Sequence, residues 1–287
     1  MIPASFDYVR PSTVDDAVAA LAAAGEDGKV LAGGQSLLPL LRLRLAYPSV
    51  LVDLGRVDGL RGIRRDGDHL VIGAMTTHHD VVHDPVIREH CPVLAQATAT
   101  VADPAVRHRG TLGGSLSHAD PAGDLPAVAL ALEAELVIAG PGGRRTVPVA
   151  QFFSDYLETA IQPGEVLVEI RVPVLGAGWG SHYEKFNRVA QAWAIVGVAA
   201  LVRRDGDSIA EARIGLTNMG PTPLRASATE QALAGVAAAN GGVAAAAEHA
   251  ADGTDPPADL SARADYRQHL ARVLTGRAVR RAAAAAG

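Results

Sequence analysis

The sequence predicts an α+β chain made of three successive parts. A βαβ-like pattern fills roughly the first sixty residues. Hairpins and alternating strands follow from Leu60, and alanine-rich helices follow "GPTPLRA".

"FDYV" opens as a short strand, and the helix after it is well punctuated. Thr13 is placed to cap it, Asp16 stands at the capping-box position, Val14, Val18 and Leu21 share a face, and Gly25 stops it. "KVLAGG" and "SVLVDLG" read as buried strands. Leu37 to Leu45 reads as a helix or turn broken by Pro39. "GIRRDGDHLVIGAMTT" forms a hairpin turning at "RRDGDH", Thr77 caps one short helix over "HHDVVHDPVIREH", and "CPVLAQATATVA" is a second helix. "DLPAVALALEAELVIAGPGGRRTVPVAQFF" holds a helix and two strands, and "GEVLVEIRVPV" is an alternating strand. "LGAGWGS" reads as a linker. Strands joined at "RRDGDS" come next, then three helices: "SATEQALAGVAAA", "GGVAAAAEHAA" and Ser261 to the tail. Tyr266, Leu270, Val273 and Leu274 stripe the last helix, Arg277, Arg280 and Arg281 suit its negative pole, and the "AAAAAG" end is expected to fray.

Composition narrows the function classes. A chain of 287 residues with 48% hydrophobic content can bury a substantial core. The net charge of -5 gives no basic footprint for nucleic acid. No apolar run approaches the roughly 20 residues of a membrane span. The first residues lack the form of a signal peptide, and a cytoplasmic protein is expected. Cys91 is the only cysteine, so an iron–sulfur cluster held by several thiolates cannot belong to this chain alone.

Several motifs fail on inspection. There is no P-loop, and "GAGWGS" lacks the strand–helix context of a dinucleotide fingerprint. His79 and His83 could share a helix face with Asp80 and Asp84 near them, but no further ligand is recognisable and a solvated face explains them. Ser36, Ser115 and Cys91 lack a nucleophile setting.

Two glycine stretches stand out: "AGGQS", Ala32 to Ser36, and "TLGGS", Thr111 to Ser115. Glycine lets backbone approach a ligand closely, and successive N–H groups in such a turn form an anion nest. Two nests without nearby lysines suit a diphosphate held by backbone N–H groups, and Asp124 could accept from a ribose hydroxyl. The alternative is a pair of tight turns.

The chain resembles the FAD-binding medium subunit of the molybdenum hydroxylases, the family of carbon monoxide, nicotine, quinoline and caffeine dehydrogenases and of the xanthine dehydrogenase flavin domain. The resemblance rests on "VLAGGQSLLPLLRLRLAYPSVLVDLGRVDGLRGI", "VIGAMTTH", "DPAVRHRGTLGGSLSHADPAGDLPA", "PGEVLVEIRVP", "YEKF" and "HLARVL". It implies a PCMH-type FAD-binding fold: an α/β subdomain over 1–58, a second over 59–177, and a three-stranded antiparallel sheet with a helical bundle over 178–287. It implies non-covalent FAD clamped by Ala32, Gly33, Gly34, Gln35 and Ser36 on one side and by Thr111, Leu112, Gly113, Gly114 and Ser115 on the other. Asp124 matches the ribose contact, and His118 and Asp120 lie where members place further polar contacts. Leu31, Leu167 and Lys185 match cofactor-lining positions, and Lys185 or a backbone N–H near the flavin N1–C2=O edge is expected to favour reduced, anionic flavin. Trp193 either stacks on the isoalloxazine or belongs to the core. Gln35 stands where the carbon monoxide enzymes usually have His and resembles the version in some N-heterocycle hydroxylases; this argues against a carbon monoxide assignment but does not fix the substrate, which is not bound on this chain. The expected substrate is an N-heterocycle or another small molecule. That substrate is hydroxylated at a molybdenum cofactor on a large subunit, and [2Fe–2S] clusters on a small subunit pass electrons to FAD and on to an external acceptor. The expected assembly is a dimer of heterotrimers, with no catalytic side chain and no metal on this chain. A standalone PCMH-type flavin oxidoreductase is the alternative.

Overall fold

The structure is a computed structural model and describes residues 2–238 and 241–286. Strands β1 (Asp7–Val9), β2 (Gly28–Leu31) and β3 (Val50–Asp53) form a parallel sheet in the order β1-β3-β2. Helix α1 (Val14–Ala24) crosses over it, capped by Thr13, whose hydroxyl accepts from the Asp16 N–H and donates to its carboxylate. Gly25 ends it at φ 60°. Helix α2 (Leu37–Leu43) runs through Pro39 unbroken, correcting the expected break. Pro39 lies in the first turn, where its missing N–H had no partner to lose.

The middle of the chain carries β4 (Ile63–Asp66), β5 (His69–Gly73), β6 (Glu135–Gly140), β7 (Gly143–Pro148), a small hairpin of β8 (Phe153–Asp155) and β9 (Glu158–Thr159), and β10 (Val166–Pro173). The main sheet is antiparallel in the order β4-β5-β10-β6-β7. Strand β10 is its centre, and both of its faces are buried. Val166 and Val168 meet α1 and β3, while Leu167, Ile170 and Val172 join the cluster under the helices. A register shift between Leu167 and Glu169 resets the alternation, so that Ile170 and Val172 fall on the side of Leu167 instead of that of Val166 and Val168.

Those helices are α3 (His78–His83), α4 (Pro85–His90), α5 (Pro92–Ala99), α6 (Pro104–Arg107), α7 (Leu112–His118) and α8 (Asp124–Ala131). The single helix expected over "HHDVVHDPVIREH" is two. Pro85 keeps Asp84 extended, at φ -66° and ψ 126°, and the Asp84 carboxylate then caps α4 through the Val86 and Ile87 N–H groups.

The last part is an antiparallel sheet of β11 (Trp179–Phe186), β12 (Val196–Asp205) and β13 (Ser208–Thr217), extended by a two-residue edge, β14 (Leu224–Arg225). Helices α9 (Ser227–Leu233), α10 (Gly242–Ala247) and α11 (Ala264–Ala285) follow, and Ala239, within the expected first helix of this group, lies outside the described residues. Two expectations are corrected here. "LGAGWGS" is no plain linker, because β11 starts at Trp179. As far as Ala286 the tail does not fray: Ala282, Ala283 and Ala286 are buried, and a Cβ on Gly180 would collide with the Ala282 carbonyl; Gly287, the last residue of the expected frayed end, lies outside the described residues. The missing side chain of Gly180 is what lets α11 lie on β11. Since α11 continues to Ala285, its arginines stand short of its final turn, and Arg281 instead pairs with Glu184 at 3.1 Å.

Candidate functional site

The first glycine stretch leaves the parallel sheet at the end of β2 and turns into α2. Gly34 adopts φ 77°, which a side chain would strain. Among the described residues, the backbone N–H groups of Gly33, Gly34, Gln35 and Ser36 donate to nothing in the chain. Ser36 precedes α2 without making a side-chain cap, so its hydroxyl is also uncommitted. These are the features of an anion nest.

The second stretch is built differently. Thr111 caps α7, its Oγ1 accepting from the Gly114 N–H at 3.1 Å. Leu112 donates to Thr76 at 3.0 Å, Gly113 to Ala74 at 2.9 Å and Ser115 to Thr111 at 3.0 Å. All four N–H groups are consumed within the chain, so the expected second nest is not formed. The hydroxyls of Thr111 and Ser115 remain as donors. Gly113 serves packing, because a Cβ there would lie 2.5 Å from that of Ala74.

The two stretches meet. A Cβ on Gly33 would collide with the Arg109 carbonyl and lie 2.7 Å from the Gly110 Cα. A Cβ on Gly114 would sit 3.5 Å from the Ala32 side chain. Behind this contact His78 donates its N–H to the Gly110 carbonyl at 2.9 Å and lays its ring against the Gly110 Cα. Burial, assisted by the charge of Arg107, pulls the His78 pKa down to about 4, and its Nδ1 has no partner.

Asp124 opens α8 and is buried. One carboxylate oxygen accepts from the Tyr183 hydroxyl at 2.6 Å and the other from Lys185 Nζ at 2.8 Å. Lys185 Nζ also donates to the Thr100 carbonyl at 3.1 Å. Burial raises the Asp124 pKa against the pull of Lys185, and burial with the neighbouring carboxylate raises that of Tyr183 well above the phenol range. The trio ties α8 to β11. Asp124 and Lys185, expected to face the cofactor separately, satisfy each other.

Other expected positions scatter. His118 Nε2 stands 3.9 Å from Asp120, and Asp120 accepts from the Ala122 N–H, fixing the loop between α7 and α8. Leu31 lies under Gly34, at 3.4 Å from where its Cβ would be. Leu112 and Leu167 are core residues of the middle part. Trp193 is 55% exposed, which removes its core alternative. The histidine motif does share a face, but the His79 ring stacks on His108 at 4.0 Å and packs tilted against His83 at 4.2 Å, and the described residues contain no three-ligand metal cluster. Cys91 is buried, and burial pushes its thiol to about 12, which removes it as a nucleophile.

The sequence reading missed Tyr183 and the arginines beside the first nest. A cavity of about 120 Å³ at the seam is lined by Arg10, Arg61 and Arg109 together with Gly33 and Thr111. "RHRG" before the second stretch was the available signal, but Arg10 and Arg61 come from distant turns. Four free N–H groups, a glycine at positive φ and a glycine closed to any side chain fit the diphosphate of a dinucleotide.

Comparison with known proteins spans the whole chain. Residues 4–175 match the family described as the FAD binding domain in molybdopterin dehydrogenase, and residues 181–282 match the carbon monoxide dehydrogenase flavoprotein C-terminal domain. The carbon monoxide dehydrogenase medium chain of Hydrogenophaga pseudoflava is 44% identical, covering 97% of each chain. Subunit alpha of the 6-hydroxypseudooxynicotine dehydrogenase complex of Paenarthrobacter nicotinovorans is 39% identical, covering 98% of this chain and 96% of its own. A solved carbon monoxide dehydrogenase from Hydrogenophaga pseudoflava, lacking the Mo-pyranopterin moiety of its cofactor, superposes with a TM-score of 0.97 at 46% identity, covering 100% of both chains.

Proposed function

The chain belongs to the family of FAD-binding domains of molybdopterin dehydrogenases, and on that premise we propose that it is the FAD-carrying medium subunit of a molybdenum hydroxylase. The observation that carries this reading is the unsatisfied row of N–H groups from Gly33 to Ser36 at the seam of a chain matched over residues 4–175 and 181–282. Bound FAD supplies the redox chemistry. The chain's own residues bind and orient it. The N–H groups of Gly33, Gly34, Gln35 and Ser36 hold the diphosphate, with hydroxyls from Ser36, Thr111 and Ser115. Asp124 acts mainly as a positioning residue: it holds Lys185 and Tyr183 so that α8 and β11 present a fixed wall. His118 and Asp120 shape the loop between α7 and α8. Trp193 is free to stack on a flat ring.

Electrons reach this subunit from [2Fe–2S] clusters on a small chain and leave to an external acceptor. With Cys91 as its only cysteine, and buried, this chain offers no cluster ligands of its own. A large chain holds the molybdenum cofactor and hydroxylates the substrate, a small molecule. The three parts 1–58, 59–177 and 178–287 act as two flavin-holding subdomains and a third that closes them. The assembly is a dimer of heterotrimers in the cytoplasm. No helix among the described residues is long and apolar enough to cross a membrane.

The test is purification from the native host, with an absorption spectrum and a gel of the co-purifying chains. Flavin and cluster absorption with two further chains is the expected result. A single yellow chain would support a standalone flavin oxidoreductase instead. A colourless chain that takes up no added FAD would sink the assignment.

A further inference from the structure

The α6 turn is weakly seated, and its seat is titratable. None of its four residues is buried, which marks an element that opens at low cost. Its hydrogen bonds are local: Asp103 accepts from the Val106 N–H at 2.9 Å, and Arg107 Nη1 donates to the Val101 carbonyl at 2.8 Å. Across to α3, the ring of His108, at the end of α6, stacks on that of His79 at 4.0 Å and 22°. His83, one turn along α3, packs against the same ring at 4.2 Å. The two residues after His108 close the seam, because the Arg109 carbonyl and the Gly110 Cα occupy the space that a Cβ on Gly33 would need.

Among the described residues, no carboxylate pairs with any of these three rings. Nδ1–H of His83 donates to the His79 carbonyl and Nδ1–H of His108 to the Pro104 carbonyl, both at 2.7 Å, so in each ring Nε2 is left to take up a proton. Asp80 favours the charged form of His79, but it is held in the capping box, where the Thr77 hydroxyl donates to it at 2.7 Å. Asp84 and Asp103 are spent as helix caps. On α4, Arg88 donates to the Val82 carbonyl and Glu89 stands beside His90, while α5 carries no titratable side chain. On α6, Arg107 opposes further positive charge at both His79 and His78. Partial burial, then His108 and His83, hold the His79 pKa below the ordinary histidine range. The stacked arrangement thus refuses a proton that an opened α6 would allow. It is complete above about pH 6.5 and weakens as the pH falls below that.

We propose that α3 and α6 form an acid-sensitive latch on the seam: protonation of the stacked His79 and His108 drives α6 off α3 and carries with it the Arg109–Gly110 turn that closes on Gly33. Like charges about 4 Å apart repel, and the half-exposed setting damps that repulsion without abolishing it. The movement reaches the glycine stretches directly, since His78 donates to the Gly110 carbonyl and Thr77 bridges to Thr111. Faster loss of flavin on acidification is the consequence, and that part alone rests on the function proposed above.

The test compares the protein, with its co-purifying chains, against two variants. His79→Phe keeps a flat ring on His108 and cannot be protonated, whereas His79→Arg carries the charge at every pH. Amide-exchange protection at His108 and Gly110, whose N–H groups donate to Pro104 and Val106 at 3.0 and 2.7 Å, reads the latch. Release of bound FAD, followed by its fluorescence, reads the seam. Between about pH 7.5 and pH 5.5 the wild type should lose roughly tenfold in protection and release FAD faster by a similar factor, the scale of repulsion between like charges at this separation. His79→Phe should hold both readouts flat, and His79→Arg should show the loosened seam already at neutral pH. Protection that does not change with pH in the wild type would overturn the latch. So would an equal fall in His79→Phe, which would assign the acid response to His78. A loosened α6 with unchanged FAD release would overturn the link to the seam. A protein that holds no FAD yet gives the exchange response, lost in His79→Phe, would refute the flavin assignment and keep the latch.

Discussion

The stretches "AGGQS" and "TLGGS" have nearly the same composition and opposite backbone fates. The first leaves four consecutive N–H groups unpaired, whereas the second commits those of Leu112, Gly113, Gly114 and Ser115 to Thr76, Ala74 and Thr111. Their glycines differ accordingly. Gly34 is needed for its positive φ, while Gly33 and Gly113 are needed because another backbone or side chain occupies the space of a Cβ. The second stretch is a buttress, and the first is the surface it holds open. A glycine pair in a sequence marks a place where backbone comes close to something, and only the neighbours decide whether that something is a ligand or the rest of the chain.

Four experiments break or sharpen this contrast, in descending order of expected effect. The buttress runs on through α7 to Asp124, so Asp124→Ala leaves the buried Lys185 ammonium unpaired. It should cost about 3–5 kcal/mol in urea unfolding, partly recovered by adding Lys185→Met. A cost below about 1 kcal/mol would show that the pair does not brace the seam.

His78 gives the buttress a pH dependence that the first stretch lacks. Its folded pKa of about 4 lies below the ordinary 6.5, so between those values the unfolded chain binds a proton that the folded chain refuses. Stability is therefore complete above about pH 6.5 and falls as the pH drops toward 4, by about 3 kcal/mol. His78→Gln should flatten that slope, and an unchanged slope would assign it to other groups.

Gly33→Ala and Gly113→Ala each force a Cβ into occupied space and should each cost about 1–3 kcal/mol by thermal unfolding. They should part on flavin: Gly33→Ala abolishes FAD uptake, and Gly113→Ala retains it below its lowered midpoint. Equal FAD retention by both would erase the functional distinction. The smallest effect is at the flanking hydroxyls. Thr111→Val removes a cap and should cost about 1 kcal/mol. Ser36→Ala removes none and should leave stability within about 0.5 kcal/mol while weakening FAD.

Much of the fold was legible because its signals are local. Thr13 with Asp16, the stop at Gly25 and the Gly67 and Gly206 turns each act within a few residues. The failures share a cause. Pro39 was misread because its place within α2 depends on where the helix starts, and Gly180 because its contact, the end of α11, lies about a hundred residues away. At the site, both glycine stretches and Asp124 were visible as residues, but their partners were not. Tyr183 and Lys185 reach Asp124 from β11, and Arg10, Arg61 and Arg109 converge from separate turns.

By itself the sequence determined the order and type of most elements, the family resemblance and the two glycine stretches, because propensity, capping and motif spacing are properties of neighbouring residues. Only the tertiary structure decided which N–H groups remain free, which carboxylate and ammonium bury each other, and where unpaired arginines gather. A hydrogen bond or an ion pair is made once, with one partner, and for these groups the partner arrives from a distant part of the chain.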